Sequence, residues 1–295
     1  MSLPSLDQPF VLDPSTIDGF TVDGHCCVRG LASAQECAAY LPEIRAGVDR
    51  WHPAPAPLDE RDTYGRAFLQ AMALRSIHEP TRGFVDSPRF AGVAAQLMGV
   101  EGVRLYHDQA LFKEPGGGRT PWHQDQNYWP LDTDDVVTMW MPLVDLDPAV
   151  GSMTFIDGSH RDGDIDAGEI SDASDDAIQR SIDEGRRPTT TYGPLRAGDA
   201  TFHRGWTIHS AGPNPTDRMR PVMTIIWFAD GARVTTPNRP EQRFDLETWL
   251  GGAEPGTLAD RDTNPLLWPA TPVSDTRHSG VRHPPQPRRI RGPRS

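Results

Sequence analysis

His123 and Asp125, separated by Gln124 within Trp122-His123-Gln124-Asp125-Gln126-Asn127-Tyr128-Trp129, are the residues whose types and spacing could do redox chemistry. Side chains two apart on an extended strand share a face, so this pair can hold one metal ion while Gln124 points away. His209 would supply a third ligand. Two neutral imidazoles and one carboxylate on one side of a metal leave the opposite positions open. That suits non-haem Fe(II) taking a co-substrate and dioxygen together. Arg220 then has a task, because a guanidinium fork matches a carboxylate such as the far end of 2-oxoglutarate.

A His-x-Asp triplet is weak by itself in a chain with ten histidines, and a second one, His160-Arg161-Asp162, is present. Context separates them. The first follows Pro115-Gly116-Gly117-Gly118 and lies in an aromatic, strand-like run. The second closes Asp157-Gly158-Ser159-His160 and opens a polar, acidic stretch. The glycine-rich turn is no phosphate loop, since the Lys-Ser/Thr ending and the following helix are missing.

With these residues in view, the segment from about Arg104 to Ala229 resembles the phytanoyl-CoA dioxygenase family of Fe(II)/2-oxoglutarate oxygenases. The resemblance is carried by His107-Asp108-Gln109-Ala110-Leu111-Phe112-Lys113, the Trp-His-Gln-Asp block, Gly158-Ser159-His160, Gly198-Asp199-Ala200-Thr201-Phe202-His203 and His209-Ser210-Ala211-Gly212-Pro213-Asn214, in that order. It implies a mainly β fold with flanking helices, a double-stranded β-helix (jelly-roll or cupin-like barrel) buttressed by N-terminal helices. It also implies an arginine about ten residues past the distal histidine. Arg220 fits best and Arg218 competes. Gln109 and Trp140 match positions that flank 2-oxoglutarate, and Arg66 matches an upstream basic residue reaching the same ligand. One departure stands out: some relatives have His-Gly-Ser where this chain has His209-Ser210-Ala211.

The implied activity is Fe(II)- and 2-oxoglutarate-dependent hydroxylation, or another oxidation, of a C–H bond in a small-molecule metabolite. 2-Oxoglutarate would be decarboxylated to succinate and carbon dioxide, with dioxygen as co-substrate. Related halogenases leave the carboxylate position empty for chloride, whereas Asp125 fills it here. Lys113, Trp129 and His203 are the candidate substrate contacts, although holding loops is the favoured role for both His203 and His160. An acyl-CoA is the alternative substrate, but its phosphates would want a basic rim and the adjacent insertion is acidic. The rival classes are a non-catalytic cupin-like metal-binding protein and a zinc hydrolase. Arg220, Gln109 and Trp140 would lack a purpose in the hydrolase.

At 295 residues the chain can bury one substantial core. We expect a single oxygenase domain over 1–275, with a helical layer at 31–99, the barrel at 103–230 and an acidic insertion at 161–187 that is either a lid or a solvated helix. A basic, disordered tail would follow at 276–295, where arginines accumulate among prolines without an acidic residue. No apolar run approaches the roughly 20 residues needed to span a bilayer, and the N-terminus lacks a secretory pattern, so the expected location is cytoplasmic. Cys26, Cys27 and Cys37 have no metal-ligand spacing and read as reduced thiols. A net charge of −12 argues against nucleic acid. No heptad or repeat points to an assembly.

The elements that must position these residues follow from periodicity and punctuation. Ser33 with Glu36 three residues on predicts a capped helix to about Val48. Further helices are expected around 64–75 and from Pro88 to Met98, with Ser87 as cap and Gly99 as stop. From Val103 the period shifts toward two, predicting strands at 104–112, through His123–Trp129, and at 136–146, 152–156, 200–203, 207–211 and 221–229. A helix is expected near 173–184. The turn Gly212-Pro213-Asn214-Pro215-Thr216-Asp217 suggests that His209 and Arg220 sit on neighbouring antiparallel strands.

Overall fold

The computed structural model describes residues 2–165, 172–184 and 187–269; the predicted basic tail lies outside them. The N-terminal half runs α1 (Pro14–Asp23), β1 (His25–Val28), α2 (Ala34–Trp51), α3 (Thr63–Ala67), β2 (Leu69–Met72), α4 (Leu74–Ile77), α5 (Arg82–Val85) and α6 (Pro88–Met98). There follow β3 (Val103–Lys113), β4 (Thr120–His123), β5 (Val136–Pro142), β6 (Met153–Ile156), α7 (Asp172–Asp183) and β7 (Thr189–Thr191). The chain continues through β8 (Ala200–Arg204), β9 (His209–Ala211), β10 (Arg220–Ala229), α8 (Pro240–Trp249) and β11 (Leu266–Trp268).

The strands form two sheets, a seven-stranded one in the order β1-β8-β5-β10-β3-β11, with β2 also on β3, and a four-stranded one, β4-β9-β6-β7. Alternation along the large sheet divides its faces. Phe112, Met139, Met141, Met223, Ile225 and Trp227 point outward into one apolar core with residues of α2 and α6. The opposite face carries Lys113, Gln109, Trp140, Thr138, His203 and Arg220. This is the buttressed jelly roll that the resemblance implies, with the small sheet as the second wall.

The helices form for the expected local reasons. Ser33 and Glu36 make a reciprocal capping box at α2. In α6, Ser87 accepts from Phe90 N–H, Pro88 occupies the first turn, and Gly99 closes the helix at φ 70°. Besides the single turn α5, two longer helices were not anticipated: α1, capped by Asp13 with Pro14 behind it, and α8, which starts at Pro240. Both carried the proline signal of a helix start.

Three expectations are corrected. The helix expected around 64–75 is interrupted by β2, because Leu69–Met72 pairs with the edge of β3, and Ala73 then turns at φ 53°. The metal strand stops at His123, and Asp125–Tyr128 is a 3-10 turn, so strand alternation does not place Trp129. His209 and Arg220 are not on neighbouring strands. Strand β9 pairs with β4 and β6, whereas β10 pairs with β3 and β5, so the Gly212–Asp217 turn carries the chain from one sheet to the other.

Helix α7 of the acidic insertion docks on the metal strand instead of lying free in solvent. Asp175 is buried, accepts from Trp122 N–H at 2.8 Å and forks onto Arg119. Trp122 Nε1 donates to Gln179 at 3.0 Å, and Ile178 packs with Trp122, Ile156 and Ile208. Asp175→Ala is expected to cost about 1–3 kcal/mol, since it strands a buried backbone donor. Chemical denaturation of metal-free protein measures this, and an unchanged midpoint would mean the helix is not held there.

Candidate metal centre and anion pocket

His123 ends β4 and His209 begins β9, directly opposite one another in the ladder. Their ring centroids are 4.1 Å apart. Each imidazole donates its Nδ1–H to the carbonyl two residues back, His123 to Pro121 at 2.8 Å and His209 to Thr207 at 2.9 Å. Those bonds assign the tautomer: both Nε2 lone pairs face inward, as a metal requires. Gln124 keeps extended dihedrals (φ −120°, ψ 128°), which preserves the same-face relation of His123 and Asp125 although the strand has ended. Asp125 Oδ1 lies 3.4 Å from His123 Nε2 and 3.6 Å from His209 Nε2. Ligand atoms of the three residues all fall within 4.8 Å of one another.

The other carboxylate oxygen is held from the large sheet. Thr138 Oγ1 donates to Asp125 Oδ2 at 3.1 Å, and His203 Nε2 stands 3.2 Å from the same atom. Burial alone would raise the Asp125 pKa, but His209, His123 and His203 outweigh it and keep the carboxyl well below its usual range. Burial in turn holds His209 well below the usual imidazole value. Two imidazoles and one carboxylate so arranged are a set able to hold a divalent metal. Gln124 faces away as expected and buttresses the strand, donating to the carbonyls of Gly163 and Trp206.

The inner face of β5 leads from this centre to a pair of buried cations. Trp140 lies two residues, ~7 Å, from Thr138, and the Arg220 guanidinium sits 5.2 Å above its ring. Arg220 is registered opposite Lys113. Both are buried, and no carboxylate pairs with either among the described residues. Arg220 Nη1 donates to Gly151 carbonyl and Lys113 Nζ to Gly118 carbonyl, while Arg220 Nε has no partner. Gly151 permits this approach: a Cβ there would come within 2.7 Å of Gly212 oxygen and 3.1 Å of Arg220 Nη1. Two adjacent buried charges of one sign, with a donor to spare, make a pocket for an anion.

Residues 20–222 match the family model for phytanoyl-CoA dioxygenase (PhyH). The chain belongs to the phytanoyl-CoA dioxygenase family. A probable alpha-ketoglutarate-dependent hypophosphite dioxygenase of Stutzerimonas stutzeri is 31% identical over 157 residues, which cover 50% of this chain and 52% of that protein. The chain thus spans about half of that relative's length. L-proline trans-4-hydroxylase of Streptomyces griseoviridis is 26% identical, covering 76% of this chain and 94% of the hydroxylase. Among solved structures, the epimerase SnoN in complex with Fe3+, alpha ketoglutarate and nogalamycin RO superposes with a TM-score of 0.69. It is 29% identical, over 86% of this chain and all of SnoN's (100%). The hypophosphite dioxygenase is named as alpha-ketoglutarate-dependent, and SnoN was solved with Fe3+ and alpha ketoglutarate bound.

In this dioxygenase the remaining expected contacts fall as follows. Gln109 is on the inner face at the level of Thr224 and Trp140, bonded to Gln70 at 2.5 Å. Arg218, the competitor of Arg220, is exposed. Arg66 is also exposed, with its carbonyl engaged by Gly118 N–H. Lys113, expected at the substrate, stands in the cation pair instead. His203, also expected at the substrate, is turned to Asp125. His160 lies against Gly24, away from the centre. Thr138 and Gly151 were missed, since nothing marks a lone threonine or glycine as facing a site until strand registers are known. Asn214 explains one family motif: its amide donates to the carbonyls of Lys113, Glu114 and Arg218, tying the two cation-bearing strands together.

The His203 contact gives a direct prediction. His203→Phe keeps the ring volume but removes one of two donors to Asp125, and loss of such an outer-shell partner costs roughly 10–100-fold in metal affinity. Competition for Co(II) against a chromophoric chelator measures it, and unchanged affinity would contradict the positioning role.

Proposed function

We propose that His123, Asp125 and His209 hold Fe(II), and that Arg220 with Lys113 takes the distal carboxylate of 2-oxoglutarate, for oxidation of a C–H bond in a small-molecule metabolite. The observation that carries this reading is the pair of buried cations without a carboxylate partner on the same inner sheet face as the threonine that holds a metal-ready N2O set. A metal-binding protein without turnover, or a hydrolase, has no use for them. When bound, iron with 2-oxoglutarate and dioxygen supplies oxidation of the substrate coupled to release of succinate and carbon dioxide.

The protein's own contribution is orientation and exclusion of water. The Nδ1 bonds of His123 and His209 fix the ring planes, and Thr138 with His203 fixes the carboxylate. Asp125 fills the position that a halide would need, which supports hydroxylation or related oxidation over halogenation. Trp140 covers the flat side of the Arg220 guanidinium, leaving its edge for a carboxylate. The PhyH relatives that act on small molecules support a metabolite substrate. Among the described residues no helix is long and apolar enough to cross a membrane, and the three cysteines are free thiols. We place the enzyme in the cytoplasm on the strength of those reduced thiols.

Lys113 adds a pH signature. Burial first, and the Arg220 charge second, pull its ammonium down to about 7. A bound dianion restores the charged form, so binding above neutral pH takes up a proton. 2-Oxoglutarate affinity is therefore expected to fall as pH rises above 7, by up to about tenfold per unit. Calorimetric titrations from pH 6.5 to 9 test this. Lys113→Met should bind more weakly at pH 6.5 and lose the slope; a slope that persists in the variant would contradict the assignment.

The activity test is succinate formation from 2-oxoglutarate by anaerobically Fe(II)-loaded protein on admission of air. Turnover that depends on 2-oxoglutarate supports the reading, and its absence with substrates present would count against it.

A further inference from the structure

The cation pair occupies one end of the inner face of β3 and β10. At the other end a β-bulge changes what the barrel presents. Strands β3 and β10 pair regularly from Lys113–Arg220 to His107–Ile226, and then the register slips, leaving Tyr106 as the extra residue before Leu105 pairs with Trp227. A bulge re-aims side chains and is common beside active sites. Here Tyr106 and His107 both come inside, whereas simple alternation would send one of them out.

His107 sits at the level of Ile226 and Thr138, the threonine that holds Asp125. Its ring lies 4.7 Å from Trp249 of α8 and 5.4 Å from Tyr106. Tyr106 in turn lies 5.6 Å from Trp129, at the end of the 3-10 turn that begins with Asp125. His107 is 8% accessible and its Nδ1 has no hydrogen-bond partner. Polar groups inside proteins are almost always paired, and a ligand oxygen would satisfy this imidazole.

The wall also limits the ligand's charge. Lys113 and Arg220 are the fully buried cations among the described residues besides histidines, and both stand six residues away along their strands. Of the two carboxyls nearby, Asp245 accepts from Tyr106 at 2.8 Å and is raised well above its usual pKa by burial, while Asp125, whose charge reaches His107, is already engaged by Thr138 and His203. Neither an anionic nor a cationic head would find a counter-charge, and burying one unpaired is costly. Burial likewise holds His107 down at about 4, so its imidazole is neutral, with one nitrogen that donates and one that accepts.

We propose that the substrate is an uncharged, ring-bearing molecule that lies against Trp249 and Trp129 and meets His107 through a hydroxyl or carbonyl oxygen. This rests on the oxygenase reading and sharpens it, since it disfavours acyl-CoA, phosphorus oxyanion and free amino acid substrates. Aromatic walls with one placed polar group are the usual construction of a site for such molecules.

The test is calorimetric titration of protein loaded with Ni(II) and 2-oxoglutarate with 2-naphthol, 2-naphthoate and naphthylmethylammonium as probes. 2-Naphthol is expected to bind at least about tenfold more tightly than either ion, the buried-charge penalty deciding the order. His107→Phe should weaken 2-naphthol about three- to tenfold, while His107→Gln, which keeps a donor, restores it. Naphthoate or the ammonium binding as tightly as 2-naphthol would overturn the proposal, as would an unchanged His107→Phe variant. Should His107 variants not fold, the wild-type probe order still decides. Titration of 2-oxoglutarate itself reads the underlying assignment separately. If wild type took up no 2-oxoglutarate, the oxygenase reading would fail whatever the naphthol order.

Discussion

Replacing Arg220 by leucine is expected to raise the 2-oxoglutarate concentration required for turnover by two orders of magnitude or more. The loss of one partner from a buried, charge-assisted contact costs about 2–5 kcal/mol, and among the described residues Arg220 offers the one buried forked donor set in that pocket. Lys113 remains in the variant, so binding should be weakened and not abolished. Arg220→Lys should fail nearly as badly, because an ammonium lacks the planar fork and the stack on Trp140. A second expectation separates this role from a structural one. The desolvation cost of a buried charge without a counter-ion offsets its contacts with Gly151 and Trp140, so Arg220→Leu should denature no earlier than wild type. The thermal protection that 2-oxoglutarate gives wild type should vanish. Early denaturation with normal 2-oxoglutarate affinity would show that Arg220 is scaffolding.

Asp125→Ala is expected to have the largest effect on the metal itself. Asp125 supplies the single carboxylate of the set, and Thr138 and His203 both spend their donors on it. The variant loses a ligand and leaves two polar groups without a partner. Metal affinity should therefore fall by more than the roughly 10–100-fold that an outer-shell change costs, and succinate formation should be lost at any attainable Fe(II) concentration. Asp125→Asn keeps the shape and one oxygen but not the charge, so it should fall between the two. Retained Co(II) affinity in Asp125→Ala would contradict the ligand set.

The grouping of His123, Asp125 and His209 was legible in the sequence, because a metal centre of the proposed kind demands these side chains in this order. The reason given for their geometry was only partly right. His123 and Asp125 share a face, but through the extended dihedrals of Gln124 followed by a 3-10 turn, not through a continuing strand. Turn composition also misled at Gly212–Asp217. Proline and asparagine announce a reversal, yet not whether the next strand joins the same sheet or the facing one. Helix boundaries at α2 and α6 followed from caps, which are local, whereas β2 exists only because β3 offers it an edge. The Lys113–Arg220 pairing, the hold of Thr138 and His203 on Asp125, and the bulge at Tyr106 all depend on registers between strands far apart in sequence. No single-strand pattern contains them.

The central claim is that one pocket binds metal and 2-oxoglutarate together for oxidation. Its most direct test is succinate release by Fe(II)-loaded wild type, Asp125→Ala and Arg220→Leu across a range of 2-oxoglutarate concentrations after exposure to air. The account predicts succinate from wild type, none from Asp125→Ala, and recovery of Arg220→Leu only at far higher 2-oxoglutarate. Equal succinate from all three, or none from wild type with neutral aromatic substrates present, would contradict it.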